Sequence, residues 1–308
     1  MRGSTKGLLA LLLMGSAAGC DLTDATIADF TDIFVAEVYV TVGDVPADNR
    51  LRAFLHGSSN GGEPGSESFD DADVVVTLDD GSTMVLTLAA LQECVAERPE
   101  DSTGSCFAAD AVQATAFGAR DSLSIEVSLP GRARLTGATR VPGAFTVNGV
   151  SATCRVAPDA RLPLQWSRSA GASSYVSETL ILGLDDALAG EGIEAEDSLY
   201  LLGLSISESD TTVSFPNEFG VFDRFDLDRD VAVRLQEGIP EGVSAEVAIT
   251  AVDDNYVNWV RGGNFNPSGA VRVSSLDGGG SGVFGSAVTR VFTIVSTTDT
   301  TAAPACGG

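Results

Sequence analysis

Three stretches of this 308-residue chain have residue types and spacing that could do chemistry. Gly57-Ser58-Ser59-Asn60-Gly61 has the G-x-S-x-G form of a nucleophile elbow. Such an elbow needs a strand before it, a helix after it and a histidine brought in from downstream. The sole histidine, His56, lies three residues before Ser59, and Gly62-Glu63-Pro64-Gly65 cannot open a helix, so the context for serine catalysis is missing. Gly280-Ser281-Gly282-Val283-Phe284-Gly285 has the G-x-G-x-x-G spacing of a dinucleotide-binding turn. It runs into the strand-like Ala287 to Phe292 rather than a helix whose N-terminus would hold a pyrophosphate, so a glycine-rich hairpin loop is expected. Asp226, Asp228, Asp230 and Glu237 fall at positions 1, 3, 5 and 12 of a calcium-binding loop. Position 6 of that loop requires glycine but holds Val231, and Val231 to Leu235 alternates as a strand, which favours an acidic turn entering a strand. No cofactor is called for, and Ca2+ held by Asp226, Asp228 and Asp230 is the one ion this pattern would accept.

The cysteines are Cys20, Cys94, Cys106, Cys154 and Cys306. With Cys20 committed elsewhere, as argued below, four remain, an even number as disulfides require, and four allow three connectivities. Cys94 and Cys106 flank a polar loop, Arg98 to Gly104, that is cheap to close. That pairing leaves Cys154 for Cys306 and ties the tail to the middle of the chain. With no C-x-x-C pair and one histidine, a zinc site is not expected. Trp166 reads as core. Trp259, beside Tyr256 and Arg261, reads as loop-proximal and exposed, and the glycine-rich 261–285 segment with these three residues is the expected contact surface.

The elements that must carry these residues are strands. Phe34, Ala36, Val38, Val40 and Val42 alternate with period two, and Leu51, Ala53 and Leu55 supply a second strand after a turn. Asp79-Asp80-Gly81-Ser82 joins two β-branched runs, 72–78 and 83–88, as a hairpin. Pro130-Gly131 joins 121–129 to 132–141 in the same way. The one helical candidate in this half, Leu86 to Glu97, ends before Pro99. Further strands fit 162–166, 199–207, 211–215, 231–235, 244–252, 271–274 and 288–295, with long loops over 185–197 and 261–285. The expected fold class is all-β, with two antiparallel β-sandwich domains at 32–146 and 161–298 joined by a connector, 147–160, and followed by a tail, 299–308.

The net charge is −25, and the only lysine is Lys6. Such an acidic chain offers nothing to a phosphate backbone, so nucleic acid is not expected as a partner. At the N-terminus, Arg2 and Lys6 precede an apolar run, Leu8 to Met14, and a small-residue site, Ala17-Ala18-Gly19-Cys20. This stretch resembles a bacterial lipoprotein signal, 1–19, cut before Cys20, which would carry the acyl chains; Ala17 stands where that family usually has leucine. The apolar run is far short of the roughly 20 residues of a spanning helix. Residues 20–31 then read as a tether, and the implied address is the cell envelope, by preference the outer membrane, with the inner membrane open because Asp21 follows the cysteine.

Leu162-Pro163-Leu164-Gln165-Trp166, followed by Gly171-Ala172 and Tyr175-Val176, resembles the opening of a fibronectin type III or related immunoglobulin-like module, which implies that the tryptophan sits between two sheets. Asp253-Asp254-Asn255-Tyr256, Asn266-Pro267, Val271-Arg272-Val273 and the glycines from Gly278 to Gly285 resemble the closing region of an uncharacterised bacterial lipoprotein family, domain-of-unknown-function family 4249. That resemblance implies export, acylation and an accessory role beside an outer-membrane receptor, and it implies no catalytic residues. The expected function is therefore that of a membrane-anchored, non-enzymatic binding module for an envelope protein or polysaccharide. The alternatives are a carbohydrate-binding accessory protein and, behind it, a hydrolase.

Overall fold

The computed structural model describes residues 33–58, 68–95, 103–131, 133–205, 207–216, 229–262 and 272–307, so the signal, Cys20 and the tether lie outside the described residues. The strands are β1 (Phe34–Val42), β2 (Arg50–Gly57), β3 (Asp73–Leu78), β4 (Thr83–Val85), β5 (Thr87–Ala89), β6 (Ser105–Ala108), β7 (Ser122–Leu129), β8 (Ala133–Arg140), β9 (Thr153–Val156), β10 (Leu162–Gln165), β11 (Ser174–Leu182), β12 (Leu199–Leu204), β13 (Thr212–Phe215), β14 (Ser244–Val252), β15 (Leu276–Gly278) and β16 (Ser281–Ser296). The helices are α1 (Ala111–Ala114), α2 (Leu184–Ala189), α3 (Arg229–Leu235) and α4 (Asp254–Gly262).

Nine strands form one sheet in the order β12-β11-β14-β16-β1-β2-β6-β5, with β9 also paired to β16; five form a second, β15-β8-β7-β3-β4; and β10 pairs with β13. Alternation sets which side chains point inward. Ala36, Val38, Val40 and Val42 of β1 and Leu51, Ala53 and Leu55 of β2 share a continuous core with Val74, Val76, Leu123, Ile125, Val127 and Leu135 of the smaller sheet. The result is an all-β sandwich. Trp166 lies in this core, edge-on to Tyr175 at 5.4 Å, as its sequence context suggested.

The division into sandwiches at 32–146 and 161–298 is corrected: residues 32–308 form one compact unit. Strand β1, from the first half, runs parallel to β16, from the end of the second, in register from Val35 opposite Ser281 to Val42 opposite Val288. Alternation shows that a segment has a buried face, but it does not say which distant segment supplies the neighbouring strand.

Strand β16 is also where the expected glycine loop lies. From Gly282 to Val288 every residue is buried, the pattern of a strand covered on both faces. Its glycines fit close approach rather than a turn. At Gly282, with φ +153°, a Cβ would run into the Ala36 carbonyl of β1, and at Gly285 it would meet the Tyr256 side chain at 3.3 Å. Three smaller corrections share one cause, the ambiguity of short periodic runs. Val231 to Leu235 is helical, with Val231 and Leu235 buried one turn apart and Val233 exposed. In the 86–97 stretch the described residues, 86–95, hold β5 and a 3-10 turn, Leu91–Glu93, instead of an α-helix. Residues 272–274 precede the ladder, which begins at Leu276.

Both expected disulfides are formed. Cys94 bonds Cys106 across the 12-residue separation, and Cys154 bonds Cys306 across 152 residues. The second fastens the tail beside β9, where Cys306 N–H also donates to Arg155 O at 2.9 Å. In the chain-entropy account a closure of that length stabilises the fold by about 5 kcal/mol.

Candidate functional site

The expected contact residues lie on the outer face of the large sheet, on a helix. In α4, Trp259 is only 4% exposed and packs on Val35 and Val283, so its assignment as an exposed platform is corrected. Tyr256 is half-buried: it lies over Gly285 and meets Tyr39 edge-on at 5.4 Å. The side chain of Arg261 and residues 263–271 lie outside the described residues. The helix is hidden in the sequence because the polar Asp253-Asp254-Asn255 run at its start carries its cap. Asp253 Oδ1 accepts from Tyr256 N–H at 2.9 Å, an N-cap bond.

This cap is also a buried polar tie between the sheets. The Thr139 hydroxyl of β8 lies 2.5 Å from Asp253 Oδ2 and 2.7 Å from the Ser286 hydroxyl of β16, and all three residues are buried. Burial pushes the Asp253 carboxyl above its ordinary value, while the bonds from Thr139, Tyr256 and Ser286 pull the other way. Asn255 Nδ2 donates to Ala138 O and Phe284 O, both at 2.9 Å. The early part of β16 has no β14 partner, since that pairing starts at Ala287, and Asn255 caps one of its carbonyls there.

Beside α4, on the same outer face, a charged cluster surrounds Glu37 of β1. Arg272 donates to Glu37 Oε1 at 2.9 Å and stacks over the Trp259 ring at 4.9 Å; His56 Nε2 lies 3.7 Å from the same oxygen; and Tyr39 donates to Oε2 at 3.4 Å. Burial works against ionisation of Glu37, yet His56 and then Arg272 outweigh it and hold the carboxyl below its ordinary value. The Trp259 indole N–H adds to this hold as an electrostatic neighbour, since it meets no acceptor in hydrogen-bond geometry among the described residues. Burial, followed by Glu178 and Glu37, pushes the Tyr256 phenol up to about 12, and burial with Glu37 raises Tyr39 well above its usual value. Glu37 and Arg272 are 235 residues apart, and nothing in the sequence announces their meeting.

The chemical constellations resolve differently. His56, the sole histidine, lies in β2, stacked on Phe54 at 4.8 Å, with Nδ1 2.8 Å from Gly57 O. Ser59 to Gly61 lie outside the described residues, as do Asp226 and Asp228. Of the calcium-loop pattern, Asp230 stands exposed in the first turn of α3, the chain being helical from Arg229, and Glu237 sits 3.9 Å from Arg234. Among the described residues no group of three or more His, Cys, Asp or Glu side chains is placed to hold a metal.

Among the described residues, clefts open on the surface at two places of note. One, of about 370 Å³, is lined by Phe145, Val147, Val150, Phe292 and Arg290, whose guanidinium is tied to Asp44 at 3.2 Å and to the carbonyls of Phe145 and Gly43. The other, of about 340 Å³, is lined by Arg120, Arg140, Val141, Ala170 and Gly171.

These features define a disulfide-bonded β-sandwich with one helix seated on the outer face of its larger sheet. No protein-family model matches the chain, and no curated protein matches it. Among solved structures, a trypsin-activated alpha-2-macroglobulin from Escherichia coli is similar at 10% identity and a TM-score of 0.20, over 85% of this chain. The chain spans 16% of the length of that protein.

Proposed function

We propose that this chain is an exported, lipid-anchored protein of the bacterial cell envelope that works as a non-enzymatic binding module. The supporting observation is the cysteine pairing. Cys94–Cys106 and Cys154–Cys306 use every cysteine but one, and the one left is Cys20, at the end of a basic, then apolar, then small-residue leader. Disulfides belong to oxidising compartments, and a leader cut just before a cysteine belongs to acylated exported proteins. The first strand begins at Phe34, and the partner of the anchored module would be a protein or polysaccharide of the envelope.

The test is detergent-phase partitioning of the wild-type chain and of Cys20→Ala expressed in a bacterial host. Wild type should enter the detergent phase, and the variant should stay in the aqueous phase with both disulfides formed. Equal partitioning of the two would overturn the anchor, and free thiols at the four paired cysteines would overturn the oxidising address.

A further inference from the structure

We infer that the cleft between Arg120, Arg140 and the Ala170-Gly171 turn is a binding site for an oxyanion, a carboxylate or phosphate carried on a compact organic body. The chain carries 18 arginines and lysines against 43 acids, and its described arginines divide between those tied to a carboxylate and those, such as Arg50 and Arg161, that donate to backbone carbonyls. Arg134, Arg168, Arg234, Arg272 and Arg290 each pair with a carboxylate. Arg120 and Arg140 form no ion pair among the described residues, although both line the same cleft. The acids nearest in sequence and pairing are engaged elsewhere: Asp121 accepts from Gly118 N–H at 2.8 Å, and Asp79 from Ser122 N–H at 3.1 Å.

The backbone brings the two arginines together. Ser122 pairs with Arg140 across β7 and β8, and Arg120 N–H donates to Val141 O at 3.1 Å. Arg120 does this with φ at +77°, a left-handed conformation that disfavours any residue with a side chain. Glycine would fit that position without strain. An exposed arginine in this conformation, whose side chain bonds no partner among the described residues, is better explained by what that side chain can meet than by what it adds to the fold. Two like charges lining one cleft repel each other until an anion lies between them, and guanidinium forks match carboxylate and phosphate oxygens in pairs. Among the described residues the rest of the lining, Val141, Ala170 and Gly171, is apolar, and about 340 Å³ suits a ligand the size of one sugar ring. An acidic sugar of an envelope polysaccharide meets these terms, and in that form the inference rests on the binding-module reading above.

Calorimetric titration of the full chain in detergent with glucuronate, inorganic phosphate and glucose tests the site. Glucuronate should bind and glucose should not; the affinity should fall about tenfold in Arg140→Gln and in Arg120→Gly, and should fall again as salt rises. Phosphate binding as tightly as glucuronate would assign the site to the bare oxyanion, and weaker phosphate binding would assign it to the sugar acid. Arg120→Gly should melt no lower than wild type, so its loss of binding cannot be put down to unfolding. No heat with either anion, or unchanged affinity in the double variant, would overturn the site. Either result leaves detergent partitioning untouched, so failure here is distinguishable from failure of the lipid anchor.

Discussion

Replacing Thr139 with valine isolates the polar tie that links the two sheets at the cap of α4. Valine matches threonine in shape, so no cavity opens, and the change removes one hydroxyl from a buried trio. Thr139, Asp253 and Ser286 are 5%, 6% and 0% exposed, and the hydroxyl lies 2.5 Å from the carboxylate. A hydrogen bond to a buried charge contributes about 1.5–3 kcal/mol, and Asp253 Oδ2 would lose its Thr139 donor while Oδ1 kept the Tyr256 N–H. We therefore expect Thr139→Val to cost about 2–3 kcal/mol at neutral pH, a fall of roughly 3–5 °C in melting temperature for a unit of this size. The cost must depend on pH in a stated direction. Burial raises the folded pKa of Asp253 above its ordinary 3.8, so the folded chain holds that proton more tightly than the unfolded chain does. Stability from that proton is full below about 3.8 and is lost as pH rises through the folded value. Without Thr139 the folded value rises further, so the gap between variant and wild type opens as pH climbs through it and narrows again in acid. Urea unfolding of both proteins across that range is the assay. A cost below about 0.5 kcal/mol at neutral pH, or a cost that does not change with pH, would refute the network's role.

Two further substitutions probe the large sheet. Gly282→Ala would build a methyl group into the Ala36 carbonyl at a backbone φ of +153°, so it should cost about 4 kcal/mol or more and show as loss of soluble, disulfide-complete protein; near-wild-type unfolding would mean that β1 and β16 are not paired as described. Glu37→Gln removes a carboxylate whose folded pKa is depressed, a contribution present above about 4.5 and lost as pH falls through the folded value; the variant should lose on the order of 1 kcal/mol at neutral pH and have a flatter acid limb, both measured by denaturant titration.

The sequence by itself determined the strands whose alternation is long enough to exclude a helix. β1, β2, β7 and β14 fall where Val38, Leu55, Ile125 and Val247 mark their inward faces, because a period of two sustained over eight or nine residues fits no other element. It also led to both disulfides, since one pair flanks a short loop and the other follows from counting. Tertiary structure decided the rest. Gly280 to Gly285 reads as a loop because glycine has no side chain to report burial, yet Gly282 and Gly285 are small so that β1 and Tyr256 can lie against them. Val231 to Leu235 satisfies both periods over five residues, and burial one turn apart at Val231 and Leu235 chose the helix. The single core, the Glu37 cluster and the Arg120–Arg140 cleft all depend on which distant segments meet. Local patterning carries no information about that, because any strand edge can bond to any other, and only the summed fit of side chains across the whole core selects one arrangement.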